Sequence, residues 1–160
     1  MQLHRTKIDI DGAAREKLID LLNQRLADVS DLKSQAKQAH WNVKGMNFFQ
    51  LHELFDAVAT AVEEHIDLIA ERITTLGGTA YGTVRQSAQR SSLSEYPLEI
   101  TDGTAHVDAM STALADFGKV IRKNIDEAGE LGDQVTADLL TEISREIDKQ
   151  LWFVEAHIQA

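Results

Sequence analysis

Residues 76–103 read LGGTAYGTVRQSAQRSSLSEYPLEITDG, a run of turn and polar residues set between two long apolar-periodic segments. A connector of that length is uncommon inside a compact domain. It is explained if the helices on either side run parallel, because the chain must then travel the whole length of a bundle before turning back. Within it, TVRQSAQR is expected to form a short extra helix on the way.

Upstream, AAREKLIDLLNQRLADVSDLKSQAKQAHWNVK places Leu18, Leu22, Leu26, Val29, Leu32 and Ala36 at three- and four-residue steps, which predicts a first helix over 13–43 with Asp11 as its N-cap. Gly45 supplies a stop, and Asn47 with Gln50 three residues later resembles a capping box for a second helix over 48–76. The short link makes these two an antiparallel hairpin. Downstream, a third helix over 104–128 is followed by the turn GELGD at 129–133 and a fourth helix, QVTADLLTEISREIDKQLWFVEAHI. Two hairpins joined by one long crossover make an all-α fold resembling the ferritin-like four-helix bundle. The expected organisation is a short N-terminal tail, 1–12, and one bundle domain, 13–160.

Composition agrees with one helical unit. The chain has 160 residues, 43% of them hydrophobic, enough for a single sizeable core. It has one proline, Pro97, and most of its nine glycines fall between the periodic segments. No cysteine is present, so disulfides and thiolate metal sites are excluded. The first residues, MQLHRTKIDIDG, hold no apolar run of signal-peptide length, and a soluble, cytoplasmic protein is expected. Sixteen Lys and Arg against 26 Asp and Glu give a net charge of -10, which makes nucleic acid an unfavoured partner.

The second helix carries an apolar stripe of Leu54, Phe55, Val58, Ala61, Val62, Ile66, Ile69 and Ile73, and opposite it His52, Asp56, Glu63, Asp67 and Glu71. His52 with Asp56, and Asp67 with Glu71, are i,i+4 pairs adjacent on the helix surface. Eleven residues separate Asp56 from Asp67, about three turns plus ~20° of rotation and about 16 Å of rise. The pairs share a face but cannot meet on one ion. Both His52/Glu71 and Asp56/Asp67 are centred on position 61.5, so a second copy packed antiparallel about a two-fold axis there brings each pair towards its counterpart. His40 and His52 lie six residues either side of Met46, level across the hairpin. Each site would then collect His40, His52 and Asp56 from one chain and Asp67 and Glu71 from the other.

Mixed imidazole and carboxylate donors suit iron, zinc or manganese, and a carboxylate-rich set suits oxygen chemistry at iron. The chain has no Glu-x-x-His pair of the kind that builds di-iron sites inside a bundle, so the site belongs at an interface. Against this stands the plainer reading that acids opposite an apolar stripe form a solvated face. Trp41 likewise has two readings, an interface aromatic or, beside an oxidising metal, an electron donor. His4, His65, His106 and His157 lack partners at ligand spacing and read as surface or packing residues.

The segments KQAHWNVKG, LHELFD, DLIAERI and SREIDKQLWFVEAHI, at their spacing here, resemble the signature of the Dps miniferritins, the DNA-binding proteins from starved cells, over nearly the whole chain. The resemblance implies that His40, His52, Asp56, Asp67 and Glu71 form an inter-subunit ferroxidase centre. It implies a hollow dodecamer in the bacterial cytoplasm or nucleoid that oxidises Fe(II), preferably with hydrogen peroxide, and stores ferric mineral. Trp41 matches the family tryptophan beside the centre. Acid-lined iron-entry pores would map to Asp138 and, less directly, Asp133. Asp133 also reads as a natural N-cap, in a place the helix dipole favours for any acid, and Gln134 stands where some relatives carry an acid. Many DNA-binding members use a lysine-rich extension, whereas this N-terminus offers only Arg5 and Lys7, so direct DNA binding is expected to be weak or absent.

Overall fold

The structure, a computed structural model, describes residues 3–159 as an all-helical chain. The expected tail and bundle domain extend into residues 1, 2 and 160, which lie outside the described residues. The helices are α1 (Gly12–Asn42), α2 (Phe48–Thr75), α3 (Val84–Arg90), α4 (Gly103–Glu130) and α5 (Gln134–Glu155). The short helix in the connector is α3. The fourth long helix stops at Glu155, three residues before its expected end, with residues 156–158 in a turn.

Side-chain contacts fix the directions of the helices. Arg15 donates to the Leu76 carbonyl at 3.0 Å and Lys33 pairs with Glu63, so α1 and α2 are antiparallel. Arg122 pairs with Asp148 from α4 to α5, and Arg72 near the end of α2 meets Asp133 at the start of α5. Gly103 and Leu51 approach at the starts of α4 and α2, which therefore run parallel. The connector covers that length as a strap on α1. Asn23 donates to the Thr79 carbonyl, Gln24 to the Arg90 carbonyl and Gln35 to the Ser94 carbonyl, while Asp28 accepts from the Ser92 amide and hydroxyl. At its far end Lys44 N donates to the Thr101 carbonyl at 2.8 Å.

The predicted stripe of α1 is the core: Leu18, Leu22, Leu26, Val29, Leu32 and Ala36 are all fully buried. Of the predicted α2 stripe, Phe55, Val58, Val62, Ile69 and Ile73 are fully buried, and Leu54, Ala61 and Ile66 lie half-buried at its margin. Asp11 caps α1, accepting from Ala13 N and Ala14 N. Asn47 occupies the N-cap position of α2 but makes no side-chain cap, so the expected capping box does not form. Its backbone sits at φ -98, ψ 19 rather than in the extended region a capping side chain needs.

Two glycines at helix ends carry unequal constraints. Gly45 has φ +109 with open space where a Cβ would stand, whereas Gly77 has φ +88 and a Cβ there would lie 2.6 Å from the His4 carbonyl oxygen. Gly45→Ala is expected to cost about 1–2 kcal/mol from the left-handed backbone alone. Gly77→Ala should cost a further ~1–3 kcal/mol, because the obstructing atom is backbone, tied through His4 N to the Gly77 carbonyl. Urea denaturation of both variants checks this; equal losses would rule out the backbone clash.

Candidate metal centre

The hairpin register does what the spacing about Met46 predicts. The His40 and His52 rings stack with centroids 3.7 Å apart and planes inclined by 20°. His40 Nδ1 lies 2.7 Å from the His52 carbonyl and His52 Nδ1 lies 2.8 Å from the His40 carbonyl. A carbonyl only accepts, so both Nδ1 atoms carry the proton and donate. That leaves each Nε2 as the atom that can coordinate in the neutral ring, and each ring is locked by a backbone carbonyl across the hairpin. Histidines in this state are ready-made ligands for a divalent cation.

Asp56 follows His52 by one turn and is half-buried. Its Oδ1 accepts from Lys37 Nζ at 2.5 Å. That hydrogen bond, with the Lys37 charge and the nearby histidines, holds the Asp56 carboxyl below the usual carboxylate range despite some desolvation. Lys37 carries no ligand-type signal of its own in the sequence, yet it sits within one residue of level with Asp56 by the same reflection about Met46. Trp41 lies at this end of the hairpin, 66% exposed, with Lys37 Nζ 5.7 Å from its ring centroid.

Asp67 and Glu71 project from α2 as exposed side chains, three or more turns from Asp56. Among the described residues, no three His, Asp or Glu side chains of one chain converge closely enough to hold a metal ion. One chain thus stacks His40 on His52, with Asp56 one turn further along α2, and leaves Asp67 and Glu71 apart.

The two expected pore acids differ. Asp138 is exposed. Asp133 is only 2% exposed and fully committed to the fold. It accepts from Arg72 Nη2 at 3.0 and 2.8 Å, from Val135 N and Thr136 N at 3.1 Å each, and from the Thr136 hydroxyl. Burial opposes its charge, but the Thr136 and Arg72 hydrogen bonds outweigh that and hold its carboxyl below the ordinary range. Within the chain Asp133 is the N-cap of α5, as its position before that helix suggests, and the buried partner of Arg72.

Of the remaining histidines, His4 and His157 are exposed, while His65 and His106 are buried at 4% and 1% exposure. Desolvation keeps His65 below the usual histidine range, against the pull of Glu146, Glu64 and Glu142. No helix among the described residues is long and apolar enough to cross a membrane.

Comparison with known proteins agrees with this fold. The ferritin-like domain family matches residues 19–160. The "DNA protection during starvation protein" of Agrobacterium fabrum is 44% identical over 159 residues, spanning 99% of this chain and 98% of that protein. DpsA14 from Streptomyces coelicolor superposes with a TM-score of 0.94 at 33% identity, covering 100% of this chain and 96% of that one. A Dps protein from Vibrio cholerae O1, described as a member of a broad superfamily of ferritin-like diiron-carboxylate proteins, superposes with a TM-score of 0.90 at 26% identity, each chain covered to 99%. With fold, crossover and near full-length identity in agreement, this chain belongs to the Dps family of the ferritin-like superfamily.

Proposed function

We propose that the protein is a ferroxidase that oxidises Fe(II) at centres shared by two copies, with hydrogen peroxide as the preferred oxidant, and stores the ferric product as mineral inside a hollow dodecamer in the cytoplasm. The observation that carries this reading is the locked histidine pair, one turn of α2 from Asp56, whose carboxyl is held below the usual carboxylate range. The diiron-carboxylate description of the Vibrio relative supports iron as the substrate. In each centre His40, His52 and Asp56 of one copy act with Asp67 and Glu71 of the other. The histidines fix the ferrous ions, and the carboxylates lower the cost of reaching the ferric state. Two ferrous ions each lose one electron, and one peroxide takes both with two protons to give two waters.

Trp41, exposed at the same end of the hairpin, is an electron donor for oxidising equivalents that iron does not absorb. Asp138 is the exposed acid for guiding iron inward. DNA is protected by removing iron and peroxide, without contact: a shell of chains each carrying a net charge of -10 repels a polyphosphate.

The test is anaerobic ferrous loading followed by stopped-flow mixing with peroxide or oxygen, read by ferric absorbance. Stoichiometric ferrous binding and two ions oxidised per peroxide, faster than with oxygen, are expected. Absence of binding and of oxidation would leave a helical shell with a solvated acidic face.

A further inference from the structure

A second aromatic–histidine unit lies inside the bundle, beneath the α2 face that carries the metal centre. The Tyr96 hydroxyl is 2.7 Å from His106 Nδ1, with the two rings stacked at 6.0 Å between centroids and inclined by 22°. Tyr96 is 6% exposed and His106 1%. Phe55, the neighbour of Asp56 on α2, turns its ring inward to within 6.3 Å of His106. A run of three rings therefore leads from Phe55, next in sequence to Asp56, through His106 to Tyr96 on the connector strap. Packing alone does not require this chemistry, since an apolar pair of the same shape is as stable as a buried hydroxyl–imidazole pair, or more so.

From this geometry, and resting on the iron-oxidation reading above, we propose that Tyr96 and His106 form an internal one-electron donor. Tyr96 gives an electron towards the metal centre while its phenolic proton moves to His106 Nδ1. A phenol surrenders an electron readily only if its proton leaves at the same time, and a phenol shut away from water needs a base already in hydrogen-bond contact. His106 Nδ1 is that base. Desolvation holds its ring below the usual histidine range, which favours the neutral form at rest, while the Ile100 carbonyl and Asp102 pull towards protonation and Lys44 opposes it. Nε2 makes no full hydrogen bond of its own. Burial raises the Tyr96 hydroxyl above the ordinary tyrosine range, so the resting state is the neutral phenol rather than phenolate.

The pair acts when a centre holds one ferrous ion and peroxide needs two electrons. One ferrous ion, one peroxide, Tyr96 and neutral His106 become one ferric ion, two hydroxide ions, a Tyr96 phenoxyl radical and protonated His106. Atoms and charge balance, and no hydroxyl radical is released.

The chain has two tyrosines, Tyr81 and Tyr96, so the radical can be assigned by elimination. The assembled protein, loaded with less iron than its centres hold, is mixed with peroxide, freeze-quenched and read by electron paramagnetic resonance. A parallel iron-free sample is oxidised photochemically with a ruthenium polypyridyl complex. A tyrosyl signal is expected in the parent and in Tyr81→Phe, and its loss in Tyr96→Phe and His106→Gln. Tyr96→Phe keeps the ring and decides the matter if His106→Gln fails to assemble. Persistence of the signal in Tyr96→Phe, or its absence from the parent in both samples, overturns the proposal. If peroxide oxidises no iron, the iron-oxidation reading fails separately, and the iron-free sample still judges the pair.

Discussion

Asp67→Ala is expected to lower the rate of peroxide-dependent iron oxidation at least ~100-fold, equivalent to about 2.7 kcal/mol of lost transition-state stabilisation. Removing outer-shell partners of metal ligands already costs ~10–100-fold, and Asp67 is assigned directly to the metal. Its side chain is exposed within its own chain, so the stability of the fold should change by no more than about 0.5 kcal/mol. Stopped-flow ferric absorbance on anaerobically loaded protein measures the rate, and circular dichroism with light scattering measures fold and assembly. An unchanged rate would remove Asp67 from the centre.

A sharper form of the same experiment uses two variants that are each inactive. If one copy supplies His40, His52 and Asp56 and the other supplies Asp67 and Glu71, then His52→Ala and Asp67→Ala damage opposite halves of every centre. A mixed dimer concentrates both lesions in one centre and leaves the other whole. Random assembly of equal amounts should place half the chains in mixed dimers and restore about a quarter of the parent activity. No recovery on coexpression would mean that both residues serve the same copy's site, which the ~16 Å between Asp56 and Asp67 forbids.

The helices are legible in the sequence because their signals are local. The α1 core positions follow from a 3.6-residue period, and the connector declares itself by length and turn residues. The His40–His52 pair is legible because a short antiparallel hairpin converts sequence offset into height. What escapes the sequence depends on contacts between distant residues or on fine backbone angle. Arg72 and Asp133 are 61 residues apart, and nothing local to either announces the other. Tyr96 and His106 are close in sequence, but only the path of the strap over the start of α4 buries them together. At Asn47 the residue types of a capping box are present and the backbone conformation is not.

Asp133→Ala is expected to destabilise the fold by about 3–5 kcal/mol, since removing one member of a buried ion pair leaves the other without compensation. Arg72 would keep its bond from Nε to the Thr136 hydroxyl at 2.9 Å but lose both carboxylate contacts, and α5 would lose its cap. Asp133→Asn should lose less, because an asparagine cap retains about 1 kcal/mol. The pH dependence follows from the depressed carboxyl. A group with a lowered folded-state value stabilises above its unfolded value, near ~3.9 for aspartate, and loses that contribution as pH falls through the lower folded value. The gap between parent and Asp133→Ala should therefore be full at neutral pH and close only in strong acid. Denaturation series at several pH values measure it, and a gap that closes above pH ~5 would contradict the ion pair. The exposed Asp138 supplies the contrast: Asp138→Ala should slow iron uptake while leaving stability within about 0.5 kcal/mol. Asp133→Ala, assayed below its melting temperature, should lose stability with iron uptake intact. Opposite results for the two variants would return Asp133 to the pore and make its place at the start of α5 incidental.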